Sequence, residues 1–110
     1  MIIAIDFDGT IHDFKHVPPG KKLGPPTAGA VEAVERLVAL GHQYIVFSVW
    51  ADSLENKLTI AKWLLYFKFP APFDTTNIKP REAAFFVDDR AIPFTGDWLD
   101  VVKKIKRGYN

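Results

Sequence analysis

Apolar residues fall along this chain in short blocks of two kinds. Ile2 to Ile5 is an unbroken run rich in β-branched residues, the pattern of a strand covered on both faces of a parallel sheet, and it stops at Asp6. Tyr44 to Val49 and Ala84 to Val87 repeat the pattern. Phe73 opens a short strand between them, and Ile92 to Phe94 reads as a fifth, confined to an edge by Pro93. Between these runs the period lengthens to that of a helix. Val31, Val34, Leu37 and Val38 share one face behind Thr27, which is placed to cap it, and Gly41 is the stop. Asp52 and Glu55 have capping-box spacing before a helix that runs to about Phe67 and is closed by Pro70 and Pro72. Asp97 caps a last helix whose Trp98, Val101, Val102 and Ile105 are expected to face inward.

Strands alternating with helices imply right-handed crossovers and a parallel sheet. The expected fold is therefore α/β: a three-layer, Rossmann-like arrangement with a mostly parallel sheet of about five strands and helices on both faces. The 110 residues, 48% of them hydrophobic, suit one core and one domain spanning residues 1–110. Phe7 to Pro26 carries three glycines and four prolines, which predicts a long loop or flap.

Composition narrows the chemistry. Without cysteine there are no disulfides, zinc-thiolate sites or thiol nucleophiles, so a bound metal is expected to be hard and oxygen-ligated, like magnesium. A net charge of +1 gives no electrostatic case for nucleic acid as a partner; Lys103, Lys104, Lys106 and Arg107 read as a solvated helix end. No apolar stretch approaches membrane-spanning length and no signal-peptide pattern follows Met1, so the expected location is cytoplasmic.

In a parallel α/β sheet, ligands bind at the carboxyl ends of the strands where the winding reverses. The residues just past the apolar runs are Asp6 and Asp8, Ser48, and Asp88 with Asp89, with Lys79 in the loop before the fourth strand. Carboxylates gathered at one sheet edge repel one another unless a cation neutralises them, which argues for a divalent ion. Ser48 and Lys79 are then suited to a phosphate.

Asp6-Phe7-Asp8-Gly9-Thr10 resembles the first motif of the haloacid dehalogenase superfamily, in which D-x-D-G-T marks phosphatases. Ser48 after Ile45-Val46-Phe47 resembles the second motif, Lys79 before Pro80 the third, and Phe85-Phe86-Val87-Asp88-Asp89 the fourth. The segment from Lys79 to Trp98 is similar to small capless members of bacteria and their phages, and the spacing between motifs leaves no room for a cap domain. The resemblance implies a magnesium-dependent phosphohydrolase acting on phosphate esters. Asp6 is then the nucleophile and Asp8 the acid/base, while magnesium is held by Asp6, Asp88 and the Asp8 carbonyl, with Asp89 in support. Ser48 and Lys79, together with Gly9 and Thr10, are implied to hold the phosphoryl group, with Gly9 also turning the backbone and Thr10 supporting the loop.

Other residues read more plainly. His12, His16 and His42 lack partner ligands and are expected in loops or at the surface. Trp63, Trp98 and most of the nine phenylalanines fit core packing, with Trp50 the exception. Relatives often carry an arginine shortly after the second-motif residue, whereas Val49-Trp50-Ala51 follow here. Lys15, His16, Lys21 and Lys22 are placed either to greet an anionic substrate or simply to be solvated. The alternatives are a catalytically weak phosphate-binding or partner-binding module that keeps the fold, and a phosphoacceptor domain. The latter places its acidic pair after the first strand, which is not the order here. The substrate's identity and the oligomeric state are left open.

Overall fold

The computed structural model describes residues 1–108; Tyr109 and Asn110 of the expected domain lie outside them. Four strands form one all-parallel sheet: β1 (Ile2–Asp6), β2 (Gln43–Phe47), β3 (Asp74–Thr76) and β4 (Phe85–Val87), in the order β3-β2-β1-β4. Three α-helices accompany them, α1 (Ala30–Ala39), α2 (Leu54–Tyr66) and α3 (Trp98–Lys106), with a 3-10 turn at Phe14–His16. The chain steps from β1 to β2 to β3 in one direction and then crosses back to set β4 on the other side of β1. The winding therefore reverses between β1 and β4, which places the crevice for a ligand beyond Asp6 and Val87.

The β-branched run of β1 is central because both its neighbours pair with it in register: Ile3 lies opposite Tyr44 and Phe85, and Ile5 opposite Val46 and Val87. Alternation along the strands puts Ile3, Ile5, Tyr44 and Val46 on one face, where they join Val34 of α1 and Ile60, Trp63 and Leu64 of α2 in a single buried cluster. Ala4 and Ile45, on the opposite face, are also buried.

Several local expectations are corrected. No fifth strand forms at Ile92 to Phe94 among the described residues; Pro93 supplies no N–H for a ladder. Thr27 does not cap α1, because its hydroxyl donates to the Thr10 carbonyl and the helix starts behind Gly29. Ser53, extended at φ −144° and ψ 160°, caps α2 by accepting from the Asn56 N–H, while Asp52 accepts from the Asn56 side chain. Gly41 does end α1: its N–H reaches the Val38 carbonyl and that of His42 the Leu37 carbonyl, a Schellman closure at φ 92°. The predicted inward face of α3 is largely exposed: Trp98 is 71% accessible, Val102 and Ile105 are exposed as well, Val101 is only partly buried, and α3 contributes no buried residue.

Candidate functional site

Because β1 and β4 are adjacent and parallel, their carboxyl ends bring Asp6 beside Asp88 and Asp89. One carboxylate oxygen from each lies within 4.8 Å of the others, an all-oxygen set that fits a hard divalent cation. Mutual repulsion is felt by Asp6: burial first, then the charges of Asp88 and Asp89, push its carboxyl from an ordinary 3.8 up to about 6. Asp88 is turned by the Arg90 N–H, which donates to its Oδ1 at 2.8 Å. Gly9, at φ 82°, passes so close to Asp89 that a Cβ there would stand 2.3 Å from the Asp89 Oδ2. The positive φ favours glycine at that position, and any side chain there would also displace the exposed Asp89 carboxylate.

On this side of the sheet a cavity of about 220 Å³ is lined by Asp6, Asp88, Lys79, Ala4, Phe47 and Phe86. Lys79 holds its ammonium 5.0 Å above the Phe86 ring, and among the described residues it is ion-paired with neither aspartate. Ser48 follows Phe47, the register partner of Asp6, at the same edge. It is buried, and its Oγ accepts from the Trp50 N–H at 3.2 Å, which leaves the hydroxyl proton to donate elsewhere.

Asp8 stands apart from the carboxylate cluster. Its Oδ1 meets His12 Nδ1 at 2.7 Å, and His12 Nε2 accepts the Gly24 N–H at 2.8 Å. A backbone N–H only donates, so Nε2 carries the lone pair, and the neutral ring's proton is on Nδ1, donated to Asp8. The contact is thus a directed hydrogen bond rather than an ion pair. Trp63 continues the chain by donating its indole N–H to the Gly24 carbonyl at 2.8 Å. Phe7 stacks on the imidazole at 5.0 Å between centroids, and Trp63 meets it edge-on. His12 lies in the loop, as expected, but not at the surface: it is 2% exposed and fixes Asp8, which is itself 55% exposed. The signal in the sequence was the four-residue spacing from Asp8 next to the apolar Ile11, which is weak by itself.

The loop from Phe7 to Pro26 is tied down at both ends by Asp13 N–H to Pro25 carbonyl and Thr27 N–H to Ile11 carbonyl, each 2.9 Å. Hydrogen bonds of this turn run from His12 N–H to Phe7 carbonyl and from Gly9 N–H to His12 carbonyl, so the Asp8 carbonyl stays out of the ladder. The expectation that Thr10 helps to hold the phosphoryl group is corrected, because it lies outside the cavity of Asp6, Lys79 and Asp88. It lines a groove against α1 with Ile5, Val34 and Leu37, and its buried hydroxyl has no hydrogen-bond partner.

No protein-family model matches this chain, and no curated protein does. A solved structure, described as that of the conserved protein coded by a locus from Bacteroides thetaiotaomicron, superposes with a TM-score of 0.65 at 24% identity, covering 100% of this chain and 93% of its own. At that identity the likeness shows the fold alone: an α/β architecture around a parallel sheet.

Proposed function

We propose that this chain is a capless, Rossmann-like phosphohydrolase of the haloacid dehalogenase type, which cleaves phosphomonoesters with magnesium through an aspartyl-phosphate. The observation that carries the reading is the convergence of Asp6, Asp88 and Asp89 at the β1/β4 switch point, with Asp8 held separately by His12.

Asp6, Asp88 and the Asp8 carbonyl would hold magnesium, with Asp89 beside them, and the ion would supply charge neutralisation between nucleophile and phosphate. A carboxylate oxygen of Asp6 attacks phosphorus in line, forming the acyl-phosphate bond as the ester P–O bond breaks. Asp8 gives its proton to the departing alkoxide oxygen; then, as a carboxylate, it takes one from the water that attacks the aspartyl-phosphate. Phosphate leaves and both aspartates return to their starting states. The Nδ1–H of His12 holds one oxygen of Asp8 and so aims the other. The Ser48 hydroxyl and the Lys79 ammonium offer donors to the phosphoryl oxygens.

The test is phosphate release from an aryl phosphate by the purified chain. Release that requires magnesium and disappears in both Asp6→Asn and Asp8→Asn supports the reading. Magnesium binding with no turnover across a broad ester panel would favour the phosphate-binding module instead.

A further inference from the structure

Asp6 and Asp8 open into different cavities. Asp6 faces the 220 Å³ space with Lys79 and Asp88, whereas Asp8 lines a second cleft of about 540 Å³ with Phe14, Val17, Lys22, Leu23, Trp50 and Asn56. If phosphorus sits over Asp6 and the ester oxygen receives its proton from Asp8, the organic part of the ester is directed into that second cleft. Its volume is that of a small-molecule site and far exceeds what a phosphate needs.

Its walls are specific in chemistry. Phe14 and Trp50 supply two aromatic rings, Val17 and Leu23 aliphatic surface, and Lys22 a cation. The Trp50 backbone is held by its N–H to Ser48 Oγ and by its carbonyl, which accepts from Asn56 Nδ2 at 2.9 Å. Asn56 Nδ2 also donates to Asp52 at 3.0 Å, so both amide hydrogens are engaged and Oδ1 is left to accept from a ligand. The opposite wall, Phe14 to Leu23, belongs to the loop anchored through His12, Gly24 and Trp63. That wall is preformed, which lowers the ordering cost of binding.

We infer that this cleft is the alcohol subsite, and that the substrate is a phosphomonoester of an alcohol bearing an aromatic or heteroaromatic ring with a hydrogen-bond donor. The inference rests on the phosphohydrolase reading, so its test has one arm that needs no turnover. In that arm, adenosine and glycerol are titrated separately into the full chain without any phosphate ester, and tryptophan emission is followed. In the other, kcat/KM is compared for benzyl phosphate and glycerol phosphate in the natural chain, in Trp50→Ala and in Phe14→Ala. Phe14 is 41% exposed, which keeps that variant clear of the core.

The expected result is a saturable emission change with adenosine but not glycerol, together with a preference for the benzyl ester that falls about tenfold, through KM, in each variant; tenfold is the scale of one ring contact. Saturable adenosine binding that is weakened when Phe14→Ala is titrated in the same way, without turnover of either ester, would retain the aromatic site and sink the phosphohydrolase reading. Turnover with equal kcat/KM for both esters, unmoved by either substitution, would overturn the subsite.

Discussion

At the scale of single residues, the site is governed by how each carboxylate is partnered. Asp6 has no cationic neighbour among the groups that shift it: burial and the like charges of Asp88 and Asp89 outweigh the one opposing contact, a hydrogen bond from the Phe7 backbone. A carboxyl that binds its proton more tightly in the folded chain stabilises the fold fully below its ordinary 3.8, and that contribution is lost as pH rises through about 6. In the metal-free protein the melting temperature is expected to fall across that window. Asp6→Asn should flatten the fall, and saturating magnesium should offset it at the upper end; thermal unfolding followed by circular dichroism against pH checks both.

Asp8 is partnered by one neutral imidazole nitrogen. His12→Gln keeps an acceptor near the Gly24 N–H but loses the donor to Asp8, and should lower kcat by about 10- to 100-fold with little change in KM, the usual scale for an orienting partner. His12→Asn places a donor near the Nδ1 position and should retain more of the activity. Equal kcat in both variants would remove the positioning role. The aspartates themselves were legible from their places after apolar runs, because strand ends are set by pattern alone. His12 was not, since its burial comes from stacking against Phe7 and Trp63, the latter fifty-one positions away.

At the scale of elements, the pattern located all three α-helices and four strands, and Asp97 caps α3 as expected, its side chain accepting from the Leu99 and Asp100 N–H groups, while the N-caps of α1 and α2 moved. Thr27 and Asp52 have the right chemistry for N-caps, but Thr10 and Asn56 offered them other partners, and Gly29 and Ser53 hold the cap positions. The end of α2 shows a related conflict. Lys68 N–H closes on the Leu65 carbonyl and Phe69 N–H on that of Leu64, the same closure as at Gly41, yet Lys68 sits at φ 64°. A side chain is strained in the left-handed region, so Lys68→Gly should stabilise the protein by about 1 kcal/mol, read from denaturant unfolding midpoints. A loss of stability would mean that the lysine side chain compensates for its backbone.

At the scale of the whole molecule, the two halves differ in how well they are packed. β1, β2, α1 and α2 share one buried cluster, whereas Phe85, Phe86 and Val87 of β4 are 58%, 40% and 45% exposed and no residue of α3 is fully buried. The Cα radius of gyration, 15.0 Å, exceeds the ~13 Å of a typical compact chain near this length, as expected when a helix stands off the core. An amphipathic pattern at Trp98, Val101, Val102 and Ile105 says that α3 has an apolar face. It does not say what covers that face, which is why the inward orientation could not be read from sequence. Amide hydrogen exchange should therefore be slow in β1 and β2 and fast across Trp98–Lys106, since local opening is easiest where little apolar surface is buried. Protection in α3 equal to that of β1 would show that the helix is packed in solution.

The asymmetry also puts the chemistry in context. Asp6 and Asp8, the proposed nucleophile and acid/base, come from the well-packed half, on β1 and the turn fixed by His12, while Asp88 and Asp89 come from the edge of the looser half. The central claim is that Asp6 takes the phosphoryl group. The most direct test is to incubate Asp8→Asn, which should slow breakdown of the proposed intermediate, with nitrophenyl phosphate and magnesium, quench in acid, and map the modification by peptide mass. One phosphoryl group is expected on Asp6 in the N-terminal peptide, and none in an Asp6→Asn, Asp8→Asn double variant. A phosphoryl group on another residue, or phosphate release by Asp6→Asn at the rate of the natural chain, would contradict the claim.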